Sequence, residues 1–435
     1  MDLLTINDRP GQYPASYYAA TADGHSEQRP AADGEIRCDI CVIGGGYTGV
    51  SSALHLAQKG YRVVLLEANR LGWGASGRNG GQVNSGMRLH QDELEQMFGS
   101  ATARGLWNLA EEAGALVQEL IRTYDIACAF KHGVLTACHR RRYVEETRRY
   151  IDKLQREYSV EGLTFLDRDA FRAILPSDFY CGGSLDTNAG HLHPLNYLLG
   201  LVRAAEEQGV AMYEASRVVR IDATSPVTVH TDRARVSADF VIIGCNGYAG
   251  DLDRDIAHHV MPINGFIAAT RPLSEAEAAT VLARDYAAAD TKFVINYFRL
   301  SEDRRLLFGG GESYGYRFPA DLDAVVRRPL GAVFPQLGDI EFDYCWGGTL
   351  GITMSRMPYF RRLRGNILTA GGFSGQGVAL ATLAGKLLAD AIAGQAEKFD
   401  LMASLPSTPF PGGPRWRSPL LALAMTWYAL RDGLS

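Results

Sequence analysis

Long apolar runs are missing from this chain of 435 residues. None reaches the ~18 residues a membrane-spanning helix needs. The nearest candidate, PLLALAMTWYAL (419–430), is too short to span and is expected to form an amphipathic helix against the rest of the protein, with a membrane surface as the alternative. The first residues, MDLLTINDRPGQYP, lack the basic start and apolar stretch of a signal peptide, so none is expected. Positive charge is not in excess either: 44 Lys and Arg stand against 49 Asp and Glu, a net charge of −5, which argues against a general nucleic-acid binder. The one basic cluster, Arg140 to Arg142 with Arg148, Arg149, Lys153 and Arg156, alternates with acids around Val144, Ile151 and Leu154, the pattern of a solvated helix face. Cysteine is sparse and odd in number, seven without framework spacing, which suits a reducing, cytoplasmic setting. Cys38-Asp39-Ile40-Cys41 is formally a CxxC, but inside a strand residues three apart face opposite ways, and no second pair completes a metal site.

What is present is a globular composition, 46% hydrophobic and 21% charged, long enough for two or three domains. Residues 36–68, IRCDICVIGGGYTGVSSALHLAQKGYRVVLLEA, read as strand, helix, strand. Cys38 to Ile43 is a continuous apolar strand of the buried parallel kind; Val50, Ala53, Leu54 and Ala57 recur at helical spacing; Arg62 to Leu66 is the second strand. Helical patterns dominate 90–180, and short β runs (FIAATRPL, KFVINYFRL, RLLFGGG) fill 260–340. The predicted class is α/β: a doubly wound, Rossmann-type domain in three pieces (37–90, 181–255 and 340–400). A substrate or cap domain of α+β type with an antiparallel sheet (91–180 and 256–339) interrupts it. Residues 1–36 are expected to wrap an outer surface, and 401–435 to form a tail.

Gly44, Gly46 and Gly49 make G-x-G-x-x-G between that strand and its helix. The spacing supplies a tight turn, a close approach of main chain to a pyrophosphate, and close helix–strand packing. The helix N-terminus at Tyr47 and Thr48 offers N–H groups and a partial positive charge to phosphate. Glu67, with Ala68 beside it, closes the second strand about twenty residues on, where an acid takes ribose hydroxyls. This half-site serves NAD and FAD alike.

The stretch GWGASGRNGGQ (72–82) discriminates between them, with five glycines in eleven positions. A linker would not carry Trp, Arg, Asn and Gln among its glycines. Gly74, Ala75, Ser76, Gly80, Gly81 and Gln82 follow Glu67 by seven to fifteen residues. That reach allows the chain to run from ribose along the diphosphate to an isoalloxazine ring. Ser76, Arg78 and Asn79 are expected to donate to phosphate and ribityl oxygens, and Gly80 and Gly81 to lie against the ring edge. The cofactor expected is FAD.

With GFSGQG near 372–377, this trio of motifs resembles the D-amino-acid-oxidase-like family of FAD enzymes over residues 37–395. SYYAAT (16–21), GHLHPLNYLLGL (190–201) and YFRLSEDRRLLFGGG (297–311) resemble most its γ-glutamylputrescine oxidase branch. The resemblance implies that Val218 holds the adenine through its backbone and that Cys245-Asn246-Gly247 turns near the diphosphate. It implies that Gly372, Phe373, Ser374, Gly375, Gln376 and Gly377 aim N–H groups and a helix N-terminus at the flavin, where negative charge develops. Relatives that hold flavin covalently use a Cys in the segment matching GTLGITMS (348–355); none is present, and Cys345 is misplaced, so FAD is expected to be non-covalent. The Arg and Lys with which sarcosine oxidases clamp an α-carboxylate fall near Val83 and Ala379. An amine whose carboxylate lies far from the reacting carbon is therefore expected.

The activity implied is oxidation of an amine C–N bond, with the imine hydrolysed to aldehyde and ammonia and O2 reduced to H2O2. Sarcosine, glycine or D-amino-acid oxidation is the alternative. The family's oxygen-activating Lys is absent where Glu312-Ser313-Tyr314 follow Phe308 to Gly311, so a dehydrogenase serving a quinone is the other. Tyr297, Phe298, Trp346 and Phe373 are candidate pocket walls, Arg299 and Arg317 candidate receivers of a distal carboxylate, and Glu312 of a distal amine. His191 and His193, expected on one face of a strand, have no further ligand with them and are read as structural.

Overall fold

Strand Gly34–Ile43 is the hub of the first sheet. Its apolar end, Ile40 to Val42, is entirely removed from solvent, and it pairs in parallel with Ala234–Ile243 on one side and Val63–Leu66 on the other. The order across this sheet is 359–364, 367–371, 234–243, 34–43, 63–66, 211–213, with an antiparallel pair, 218–222 and 227–231, added beside 234–243. These relations come from a computed structural model that describes residues 2–23, 28–250 and 252–413. The tail helix expected at 419–430 lies outside the described residues. Helices Tyr47–Gln58, Pro194–Glu207, Gly377–Ile392 and Ser100–Thr123 cover one face and bury Ile40, Val42 and Leu65. This is the Rossmann-type arrangement that strand–helix–strand alternation predicts, but not doubly wound in full: on the other face Cys41, Ile43 and Val64 pack with Val227 and Val229 of the antiparallel pair.

The second sheet has nine strands in the order 342–352, 261–270, 306–313, 297–300, 287–290, 131–137, 183–191, 82–83, with 163–166 also paired to 183–191. It is antiparallel except between 287–290 and 131–137. Its core is aromatic: Phe298 stacks on Phe308 at 5.4 Å, and Phe266, Phe334 and Phe171 close around them under helix Leu322–Val333. Strands Gln82–Val83, Gly183–His191 and Phe342–Ile352, which the sequence assigns to the nucleotide unit, hydrogen-bond into this sheet. An extended run does not disclose which edge it will join, because both sheets accept it with the same backbone bonds.

Three local expectations change. Residues 2–23 do not only wrap the outside: Tyr18 is fully buried, its ring 5.3 Å from Trp346, and Tyr13 donates its hydroxyl to Leu71 O. Cys38 and Cys41 join the same apolar cluster rather than opposite ones, because the chain is irregular at Asp39, where the N–H groups of Asp39 and Ile40 both donate to Arg62 O. His191 and His193 do not share a strand face, since His193 leaves the strand to cap helix Pro194–Glu207, accepting from Asn196 N at 3.1 Å. Among the described residues no single helix is long and apolar enough to cross a membrane.

Candidate functional site

One cavity of 2320 Å³ runs between the two sheets. Its narrow features begin at Gly44–Thr48. The helix that starts there has Gly46 as its N-cap, which offers no side chain to its free N–H groups. The close packing needs glycine at Gly49: a Cβ there would stand 1.9 Å from Gly44 O. Glu67 faces the same turn. Its carboxylate accepts from Gly45 N at 2.7 Å and Asn69 N at 2.8 Å, while burial pushes its carboxyl above the ordinary range.

The glycine-rich loop is organised inward more than expected. Ser76 Oγ accepts from Tyr47 N at 3.0 Å, tying the loop to the helix start. Asn79 donates to Ala75 O and Ser76 O and accepts from Gly81 N, so its amide is spent on the loop itself. Arg78 is buried over Trp73, donating to Trp73 O, Gly347 O and the Asp8 carboxylate at 2.8 Å. Gly81, at φ +75, leaves room for Leu192 O, which a Cβ would approach to 2.1 Å, and Gly80 leaves room for the Tyr297 ring. The close neighbours of these two glycines are thus protein atoms. Gln82 donates to Ala288 O.

The third motif presents a second helix end. Gly372, Ser374 and Gly375 all take positive φ before helix Gly377–Ile392, whose N-cap, Gln376, makes no side-chain cap bond. Asn246 Oδ1 accepts from Gly372 N at 2.8 Å, so the 245–247 turn positions this loop. Gln376 Oε1 is buried without a hydrogen-bond partner among the described residues.

Of the predicted residues, Gly44, Gly46, Tyr47, Thr48, Glu67, Ala68, Gly74 to Gly80 apart from Gly77, Gln82, Val218, Cys245 and Phe373 to Gly377 line the cavity. Gly49, Gly81, Gly247 and Gly372 shape the turns behind its wall. Two helix N-termini whose N-cap residues supply no side-chain bond, a half-buried carboxylate and an unpartnered amide oxygen therefore open on one space. That set suits an elongated ligand carrying an anionic centre with polar groups at both ends.

Beyond it lie Tyr297 and Glu312. Glu312 accepts from Tyr314 OH at 2.8 Å, and burial raises its carboxyl pKa. Two residues proposed for this end are not in it. Arg299 is buried, donating to Gly80 O and Leu192 O, and Trp346 is buried with its N–H on Arg78 O. Both are consumed by the seam between loop and sheets. Phe298 belongs to the aromatic core, and Arg317 is exposed and off the cavity wall. Val83 and Ala379 are buried and off the wall as well. In place of Arg299, the cavity carries Arg88 and Arg356, which no motif announces.

Comparison with known proteins adds the following. The family model described as FAD dependent oxidoreductase matches residues 39–391. The chain is 41% identical over 424 residues to the Gamma-glutamylputrescine oxidoreductase of Escherichia coli, covering 97% of this chain and 99% of that one. It is 40% identical to the Probable oxidoreductase OrdL of Rhizobium meliloti, covering 93% and 94%. Among solved structures, glycine oxidase from Geobacillus kaustophilus superposes with a TM-score of 0.73 at 21% identity, covering 85% of this chain and 99% of that one, a likeness of fold.

Proposed function

The chain belongs to the family of FAD-dependent oxidoreductases, and from that premise we propose that it oxidises the free amine end of γ-glutamylputrescine or a similar N-acylated diamine. The observation that carries this is the 41% identity with the Escherichia coli protein over nearly the full length of both chains. The overall change is amine plus O2 plus water to aldehyde, ammonia and H2O2. A substrate without a carboxylate next to the reacting carbon is supported by Val83 and Ala379, which are buried and apolar where sarcosine oxidases carry their clamp.

The residues present fit FAD. Glu67 would take a ribose, the helix end at Gly46 to Thr48 with Ser76 the diphosphate, Val218 the adenine, and the helix end at Gly375 to Gly377 the flavin. A flavin held there would supply the acceptor for a hydride from the carbon beside the amine. The chain has to strip a proton from an ammonium whose ordinary pKa is about 10.4. Closing it between Tyr297 and Phe373, away from water, disfavours the charged form. Tyr297 stays protonated there, since burial holds its hydroxyl well above its ordinary range. Non-covalent attachment is supported by Cys345 lying off the wall and by the Cys245 thiol, which burial holds protonated.

The test is an anaerobic titration of the yellow protein with γ-glutamylputrescine, putrescine, sarcosine, glycine and a D-amino acid, followed by air. Bleaching by γ-glutamylputrescine, with rapid recovery and peroxide on admitting air, is expected. Bleaching only by sarcosine or the α-amino acids would overturn the substrate, and slow recovery in air would overturn the use of O2.

A further inference from the structure

Arg88 and Arg356 line the same cavity as Glu312, yet neither guanidinium has a hydrogen bond or ion pair to any described residue. Partly buried Arg327 and Arg305 are matched with Asp323 and Asp303, and buried Arg78 with Asp8. Taking a guanidinium out of water without a partner is costly. Burial, then the neighbouring charge of Arg356, presses Arg88 toward losing its proton. An anion between the two arginines would reverse both effects.

The backbone points the same way. Arg356 sits at φ +61, a left-handed conformation that a non-glycine residue rarely adopts and that ligand clamps often hold. The turn is locked from within: Thr353 O accepts from Arg356 N, and Thr353 Oγ1 donates to Met357 O at 2.8 Å. It joins strand Phe342–Ile352 of the second sheet to strand Tyr359–Arg364 of the first, so Arg356 is presented from the seam. Glu312 feels the charge of both arginines, yet it closes to ion-pair distance with neither and takes the Tyr314 hydroxyl instead. Two cations and one acid thus face a common space with gaps between them.

We propose that Arg88, Arg356 and Glu312 form a receptor for the zwitterionic head of an α-amino acid, the two guanidinium groups taking its carboxylate and Glu312 its ammonium. A γ-glutamyl amide carries such a head at the end remote from its amine. The assignment rests on the reading of the substrate as an N-acylated diamine and makes its acyl group γ-glutamyl. Arginine suits the task because its planar fork meets a carboxylate in two parallel hydrogen bonds.

The experiment compares three substrates on the flavin-loaded enzyme: γ-glutamylputrescine, N-glutarylputrescine, which lacks only the ammonium, and N-butyrylputrescine, which lacks both charges. The kcat/KM of the native enzyme should fall about 10-fold on losing the ammonium and about 100-fold on losing both charges. In Arg88→Met and in Arg356→Gly, which suits the left-handed turn, the preference for γ-glutamylputrescine over N-butyrylputrescine should collapse about 100-fold, with Arg88→Lys recovering part of it. Binding is read separately by calorimetry with γ-glutamyl-n-butylamide, which has the head but no amine to oxidise. It should bind the native enzyme and not the two variants.

Equal use of the three substrates by the native enzyme would overturn the receptor, as would variants that keep their preference while retaining flavin. N-glutarylputrescine matching γ-glutamylputrescine would remove Glu312 from it. If the native enzyme oxidises none of the three, the proposed function fails. The receptor then stands or falls on the calorimetry: binding of the butylamide to the native enzyme alone sustains it, and absence of binding ends it.

Discussion

The cavity is built from two kinds of material. The turn at Gly44–Thr48 and the loop at Phe373–Gly377 present backbone groups and two helix N-termini, with glycine wherever a side chain would collide. Arg88, Tyr297, Glu312 and Arg356 present side chains from four separate segments. A site made of backbone requires particular residues at consecutive positions, so it leaves a motif. A site made of side chains requires only that the fold bring them together.

The largest expected effect strikes the part made of backbone. Gly49→Val should abolish flavin binding and destabilise the chain by at least ~3 kcal/mol, because its Cβ would lie 1.9 Å from Gly44 O and main chain cannot swing aside. The checks are flavin content after purification and urea unfolding. A Gly49→Val variant that keeps its flavin and its stability would erase the proposed difference between the two materials.

Next comes the seam that ties the glycine-rich loop to the N-terminal segment. Asp8→Ala should cost about 3 kcal/mol in urea unfolding, since it strands the Arg78 guanidinium, which is 2% exposed. Arg78→Met with Asp8→Asn should cost less than Asp8→Ala alone, because no buried charge is left behind. The reverse order would mean that Arg78 serves the bound cofactor rather than the loop.

These cases show how far the sequence was legible. The strand–turn–helix at 34–58 was readable because every partner lies within a few residues. The same holds for the helix at Gly377–Ile392. The loop is legible, but the partners that hold Arg78 and Asn79 within the protein are not, although both also line the cavity. Whether a polar side chain faces a ligand or the protein depends on distant partners, here Asp8 and Gly347 O for Arg78. Arg299 failed in the same way, captured by Gly80 O and Leu192 O. Arg88 and Arg356 were invisible because a lone arginine in VNSGMRLHQ or TMSRMPYF carries no spacing to interpret.

A smaller effect tests the middle of the molecule through pH. Burial, with the nearby charge of Arg299, pushes His193 down to about 3, so its neutral ring caps helix Pro194–Glu207. The unfolded chain binds this proton near pH 6.5 and the folded one does not, so stability falls as pH drops from about 6.5 toward 3. Between pH 6.5 and 5 this group alone should remove about 2 kcal/mol. His193→Asn, which keeps an acceptor at the N-cap, should flatten that part of the profile. An unchanged slope would place the acid sensitivity elsewhere.

The smallest effect belongs to the part made of side chains. Glu312→Gln keeps the shape of the residue and its contact with Tyr314 OH but removes the charge. It should retain flavin and unfold like the native protein, or slightly later, because a partly buried carboxylate whose charged form is disfavoured by desolvation has been neutralised. The expected cost is a rise of about 10-fold in KM for γ-glutamylputrescine, close to 1.4 kcal/mol, with little change in kcat. That split follows from the position of the charge. A group holding the remote end of a substrate binds the ground state and the transition state alike, whereas one near the reacting carbon would lower kcat as well. A fall in kcat with KM unmoved would place Glu312 at the chemistry. The division of the cavity would then lie beyond Glu312, closer to Arg88 and Arg356.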